Sequence, residues 1–178
     1  MPRHDLRMPD LADFPQDMTS WVPRSTLLAI VEESAERASG SAWLELLGGF
    51  ENVVTHAAPK DDLLILVTYC YLQGIYHSNE VVLQPDADAA LVAMRPRVAL
   101  RPERVRKFRR ERRSTLVDCL ACALFRLASL RNPGHWTEPF SCSLVRNRHN
   151  FGALEPFHIH ARERLERAIV LDSMALDD

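Results

Sequence analysis

Apolar positions along the chain recur mostly three and four residues apart, the spacing of one helix face. Behind Pro23, a residue suited to a first helical turn, Leu27, Leu28, Val31, Ala35 and Ala38 mark such a face. Gly40 is expected to stop that helix, and Ser41 to cap a shorter one ending at Gly48-Gly49. The segment from Asp61 to Gly74, DDLLILVTYCYLQG, is apolar nearly all round. Its length predicts a buried central helix, with Asp61 and Asp62 at the end where the helix dipole favours negative charge. SNEVVLQ reads as a short helix, and Pro85-Asp86 as the start of another reaching Met94.

From Pro102 to Leu130 no Gly or Pro intervenes, and Val105, Phe108, Leu116, Cys119, Ala123, Leu127 and Leu130 keep helical spacing. This predicts one long helix, or two that break near Ser114. Asn132-Pro133-Gly134 ends it. Residues 135–155 read as a loop, followed by a last helix from Glu155. Alternating β-branched runs are missing. The expectation is an all-α, compact multi-helix domain of six or seven helices. Residues 1–22, with Pro2, Pro9 and Pro15, read as an extended arm. Residues 23–130 read as the helical body, and 131–178 as a loop and a C-terminal helix packing on it.

At 178 residues and 47% hydrophobic composition, the chain can bury a real core within one domain. Its net charge of -2 conceals an asymmetry. Between Arg95 and Arg113 ten Lys/Arg face two Glu, a local balance of +8 that leaves -10 for the rest. A concentrated basic patch on an acidic body is the electrostatic footprint of nucleic-acid binding. No apolar run is long enough to span a membrane, and the N-terminus lacks the apolar stretch of a signal peptide. A cytoplasmic chain with reduced cysteines is the expectation. Scarce glycine and the lack of a glycine-rich phosphate loop argue against nucleotide hydrolysis, and no cofactor is implied.

The patch centres on VRKFRRERR, residues 105–113. Two apolar residues three apart, Val105 and Phe108, suit a helix docked on a protein body by one face. A short helix, a turn and a basic helix make a helix-turn-helix-like layout over 85–113, with 85–94 supporting and 102–113 reading. Arg101, Arg104, Arg106, Lys107, Arg109, Arg110, Arg112 and Arg113 are the expected DNA-binding residues. Most would meet phosphate, which positions a protein without reading sequence. Secondary contacts are expected from Arg95 and Arg97, and from Arg146 and Arg148 in a loop that also carries Trp136, Phe140 and His149.

These segments also carry a resemblance. LLILVTYCYLQGIYHSNEVVLQ resembles the N-terminal domain of DDE insertion-sequence transposases, whose helix has the form L-x-Y-x-Y-L-x-G-I-x-S-S. Thr68, Tyr69, Tyr71, Leu72, Gly74, Ile75 and Ser78 match it, while His77 replaces the usual first serine. The family's second pattern, T-I-S-R-F-R-R, is met by Val105, Arg106, Lys107, Phe108, Arg109 and Arg110. Leu100-Arg101-Pro102-Glu103-Arg104 stands where the family often has Pro-Asp-His-Ser-Thr. Over residues 15–115 the resemblance implies an all-helical domain that binds transposon ends and helps assemble the transposase. Double-stranded DNA is the implied partner, with a catalytic transposase-like chain or self-association beside it. The family's catalytic half holds metal ions on three separated carboxylates within a sheet. Here AIVLDSMALDD only faintly echoes the approach to a first carboxylate, and Asp172 is expected in a frayed acidic end. The reading is therefore a non-catalytic DNA-recognition subunit or regulator. Its alternatives are an assembly module that has lost DNA binding and the DNA-binding fragment of a split transposase.

Other candidate chemistry is weaker. Cys119-x-x-Cys122 followed by His135 and Cys142 invites a zinc reading, but both first cysteines lie in an apolar helical run and suit core packing. His158 and His160, two apart, point to different sides of a helix, which disfavours a shared metal with His149. Nothing in the spacing supports Cys142 as a nucleophile with His135 or His149. Tyr69, Tyr71 and Tyr76 read as core residues with a polar tip.

Overall fold

The computed structural model describes residues 14–46, 61–92, 100–131 and 151–175, with the backbone alone at 40–46 and 151–154. A 3-10 turn at Met18–Ser20 precedes α1 (Arg24–Leu46), α2 (Asp62–Leu72), α3 (Ser78–Val81), α4 (Gln84–Ala87), α5 (Pro102–Glu111), α6 (Arg113–Arg131) and α7 (Phe151–Met174). The architecture is all-α, and there is no strand among the described residues. α6 lies at the centre with α1 and α7 packed along it, α2 is wedged against α1 and α6, and α5 packs on α2, α3 and α6.

The sequence explains α2 closely. All nine residues from Leu64 to Leu72 are buried, so the segment is apolar all round because no side of it meets water. The Asp61 carboxylate accepts from the Leu64 amide at 3.1 Å and caps the first turn. At the other end the Ile75 amide returns to the Cys70 carbonyl at 2.9 Å and the Gly74 amide to Tyr71 at 3.3 Å. That closure needs the left-handed conformation, and Gly74 supplies it with φ +79°.

Several elements differ from the pattern-based expectation. α1 runs on through Gly40 and Ser41 to Leu46. A glycine costs a helix about 1 kcal/mol but imposes no steric stop. The supporting helix expected over 85–94 does not form. α4 ends at Ala87, Asp88 turns extended (φ -108°, ψ 117°), and a separate 3-10 turn occupies 89–92. Asp88 breaks the helix because its side chain is engaged elsewhere: it accepts from the Ala90 amide, the Tyr69 hydroxyl, Gln73 and Arg24. The basic helix and α6 are separate, the second of the two arrangements expected, and the break falls at Arg112. α7 starts at Phe151, ahead of the expected Glu155, and takes Pro156 into its early turns. Residues 14–22 form no extended arm. Met18 is fully buried, and Phe14, Trp21 and Val22 lie against the core. Residues 1–13 fall outside the described residues.

A methyl group at Gly74 would meet Gln16 only at ordinary contact distance (3.5 Å), so the cost of Gly74→Ala lies in the backbone conformation. We expect a loss of about 1 kcal/mol in urea unfolding, as a left-handed alanine requires. An unchanged midpoint would show that the turn relaxes freely.

Candidate nucleic-acid interface

Pro102 at the first position starts α5, and Val105 and Phe108 anchor it. At 100° per residue these two define the inward face, and Arg109 lies on that face as well, at the i+4 position from Val105. The structure accordingly removes Arg109 from the expected DNA-binding set. It is 3% exposed and ion-paired with Asp172 of α7. Its guanidinium also donates to the Tyr71 hydroxyl at 3.0 Å and the Ser78 hydroxyl at 2.8 Å. Asp172 accepts from the Ser78 amide at 2.8 Å and from the Ser78 hydroxyl. Both carboxylate oxygens and both terminal guanidinium nitrogens of the buried pair thus have partners, drawn from α2, α3, α5 and α7, which is what makes a desolvated charge pair tolerable.

Asp172 is the residue that sequence reading missed, having placed it in a frayed end. A signal was present. Ala161, Leu165, Ala168 and Asp172 recur at four-, three- and four-residue steps, so Asp172 lies on the buried stripe of α7. Arg164 is a second buried cation on this helix. It donates to the carbonyls of Pro15, Gln16 and Tyr71 and to the Tyr76 hydroxyl, pinning the N-terminal segment to the end of α2. Burial lowers its guanidinium from the usual range, with Tyr76 opposing.

Seven of the eight expected residues remain at the surface. Arg101, Arg104 and Arg110 are exposed, and no ion pair holds them among the described residues. Arg106 pairs with Glu103 (3.1 Å), Lys107 with Glu111 (3.7 Å), Arg112 with Asp61 (3.5 Å) and Arg113 with Glu166 (3.6 Å). Such solvent-exposed pairs contribute about 0–1 kcal/mol each, so they exchange readily for a stronger anion. The cations divide between two sides of α5, with Arg113 at the start of α6 joining one of them. Arg106, Arg110 and Arg113 turn toward α7, where with Arg109, Ile169, Asp172 and Ser173 they line a half-open cleft of about 280 Å3. Arg104 and Lys107 lie on the opposite edge by helical phase.

Arg95, Arg97, Arg146 and Arg148 lie outside the described residues, as do Trp136, Phe140, His135, Cys142 and His149. Cys119 is buried and accepts from the Thr68 hydroxyl at 3.4 Å, and burial pushes its thiol up to about 12. His158 faces Asp118 at 3.2 Å and His160 faces Glu163 at 3.2 Å, so the two histidines serve different partners. No group of metal-ligating side chains occurs among the described residues. The three tyrosines are buried with their hydroxyls engaged: Tyr69 by Asp88, Tyr71 by Arg109 and Tyr76 by Arg164. Burial and the neighbouring Asp88 raise the Tyr69 phenol. Burial pushes the Asp88 carboxyl up, but its hydrogen bonds from Ala90, Tyr69 and Gln73 and the charge of Arg24 outweigh this and hold it below its usual value. Among the described residues no helix is long and apolar enough to cross a membrane.

Asp172→Asn strands the Arg109 charge and should cost about 3 kcal/mol in denaturant unfolding, whereas adding Arg109→Met to it should cost less than the two changes summed. A loss under about 1 kcal/mol would show the pair to be solvated. Because the folded state depresses the Asp88 pKa, its stabilisation is complete above the unfolded value and lost as pH falls through the folded one. The stability gap between wild type and Asp88→Asn should therefore be full near about pH 6 and narrow below about pH 4. A gap that widens on acidification would reverse the assignment.

Comparison of the chain with protein-family models, with curated proteins and with solved structures finds no match.

Proposed function

We propose that the chain binds double-stranded DNA through the outward face of α5, as a non-catalytic recognition subunit or regulator related to the N-terminal domain of DDE insertion-sequence transposases. The observation that carries this reading is the set of exposed cations on a helix fixed to the body by Val105, Phe108 and the Arg109 network. Cations on a flexible tail spread apart. On a docked helix they cannot, and approaching phosphates relieve their repulsion. Ten helical residues span about 15 Å, and the major groove admits a helix of this kind. The resemblance gains physical sense from the burial of its motif residues. Tyr71, Ser78 and Arg109, which lie in its two separate patterns, meet in one hydrogen-bonded network. The supporting element differs from a helix-turn-helix, since α3 and not an 85–94 helix packs against α5.

Gel-shift titration of random duplex, and of DNA flanking the chain's own locus, at several salt concentrations is the test. Neutralisation of four to five phosphates gives a log-log salt slope of about -4. Replacing Arg101, Arg104 and Lys107 together by Ala should reduce that slope by about 3 and weaken binding to all sequences. A folded chain that shows no duplex binding at about 50 mM salt, where phosphate contacts are strong, overturns the DNA reading. An assembly module meeting an acidic protein surface would replace it.

A further inference from the structure

The cleft between α5 and the last turns of α7 has a composition that duplex recognition does not need. Arg106, Arg110 and Arg113 follow one another at four- and three-residue steps along its edge, and the Arg109–Asp172 pair forms its floor. Four guanidinium groups stand against a single carboxylate, and that carboxylate is committed to Arg109 and Ser78. Glu103 and Glu166, which pair with Arg106 and Arg113 at the rim, are 71% and 63% exposed and free to swing into water. The far wall is Ile169 and Ser173, and the Ser173 hydroxyl is turned back to the Ile169 carbonyl at 2.8 Å. The cleft is therefore cationic on one side and uncharged on the other.

We propose that this cleft is a phosphate-binding pocket in which Arg106, Arg110 and Arg113 clamp one phosphate group above the Arg109–Asp172 pair. The planar forks of three arginines suit an anion with three terminal oxygens better than a flat carboxylate. The buried network holds the backbone that carries them, so part of the ordering cost is met before the ligand arrives. At about 280 Å3 the space is at the small end of ligand sites, which begin near 300 Å3. It accommodates a phosphate with a sugar-sized group against Ile169, and not a larger ligand. The phosphate source is either the end of a nucleotide or nucleic-acid strand, or free phosphate. The pocket does not depend on duplex binding, whose test rests on Arg101, Arg104 and Lys107 outside the cleft.

Calorimetric titration of the full chain with inorganic phosphate, thymidine 5′-monophosphate and thymidine, at constant ionic strength, tests the pocket. Both phosphate ligands should bind and thymidine should not. Arg110→Ala should weaken binding about tenfold, as loss of a charge-assisted hydrogen bond does. Ile169→Trp, which fills the cleft without changing charge, should abolish it. Ser173→Glu, which sets a carboxylate at the wall, should do the same and serves if the tryptophan variant melts early. Lys107→Ala, on the same helix but outside the cleft, should change binding less than about twofold. Nucleotide bound more than about tenfold tighter than inorganic phosphate identifies a strand or nucleotide end, whereas equal affinity identifies free phosphate; either upholds the pocket. The proposal is overturned if wild type binds neither phosphate ligand at millimolar concentration. It is also overturned if Lys107→Ala weakens binding as much as Arg110→Ala, or if folded Ile169→Trp and Ser173→Glu bind normally, because attraction would then be diffuse.

Discussion

A buried ion pair governs how this chain presents its charge. Arg109 and Asp172 join α5 to α7, and through Ser78 and Tyr71 they reach α3 and the end of α2. Two charges removed from water contribute little net stability by themselves, and a well-packed apolar pair would serve as well or better. Their value lies in direction. An apolar contact tolerates sliding by a residue or rotation about the helix axis, whereas a guanidinium with three fixed acceptors does not. The rotational setting of α5, and so the direction in which its other cations point, follows from this pair together with Val105 and Phe108.

The surrounding body is the counterpart of that basic helix. Four of the surface cations contact the carboxylates of Asp61, Glu103, Glu111 and Glu166 at 3.1–3.7 Å, each pair with at least one exposed partner. Such pairs hold long side chains near the surface without binding them firmly, and they moderate repulsion among neighbouring arginines until a polyanion competes. An uncompensated run of this density would strain the helix it sits on. These carboxylates, two on α5 itself and two on the body, make the patch tolerable and keep it available.

Much of the architecture was legible in the apolar periodicity. The positions of α1, α2, α5 and α6, and most of the core on them, come from spacing and from caps such as Asp61 and Pro102. Three of the failures share a cause. Asp88, Arg109 and Asp172 are polar residues with tertiary partners, and local pattern assigns such residues to the surface or to a helix. Asp88 ended a helix that its neighbours favoured, because four distant or adjacent donors outbid one intrahelical turn. Arg109 looks like its seven neighbours by residue type and differs only in phase. The cleft was invisible for a further reason: half of it comes from α7, about sixty residues along the chain from α5, and no local pattern links the two segments.

α7 carries both buried clamps, and their partners were made much earlier in the chain. Arg164 meets Tyr71 across 93 residues and Pro15 across 149, and Asp172 meets Ser78 across 94. Contacts of such sequence separation close late, after the cost of ordering the intervening chain has been met. During synthesis, α1, α2, α5 and α6 leave the ribosome with the inward Arg109 still lacking its counter-ion. The cationic helix therefore acquires its final setting only when the last turns of α7 emerge, and an unfinished chain presents its positive charge on a helix that is free to turn.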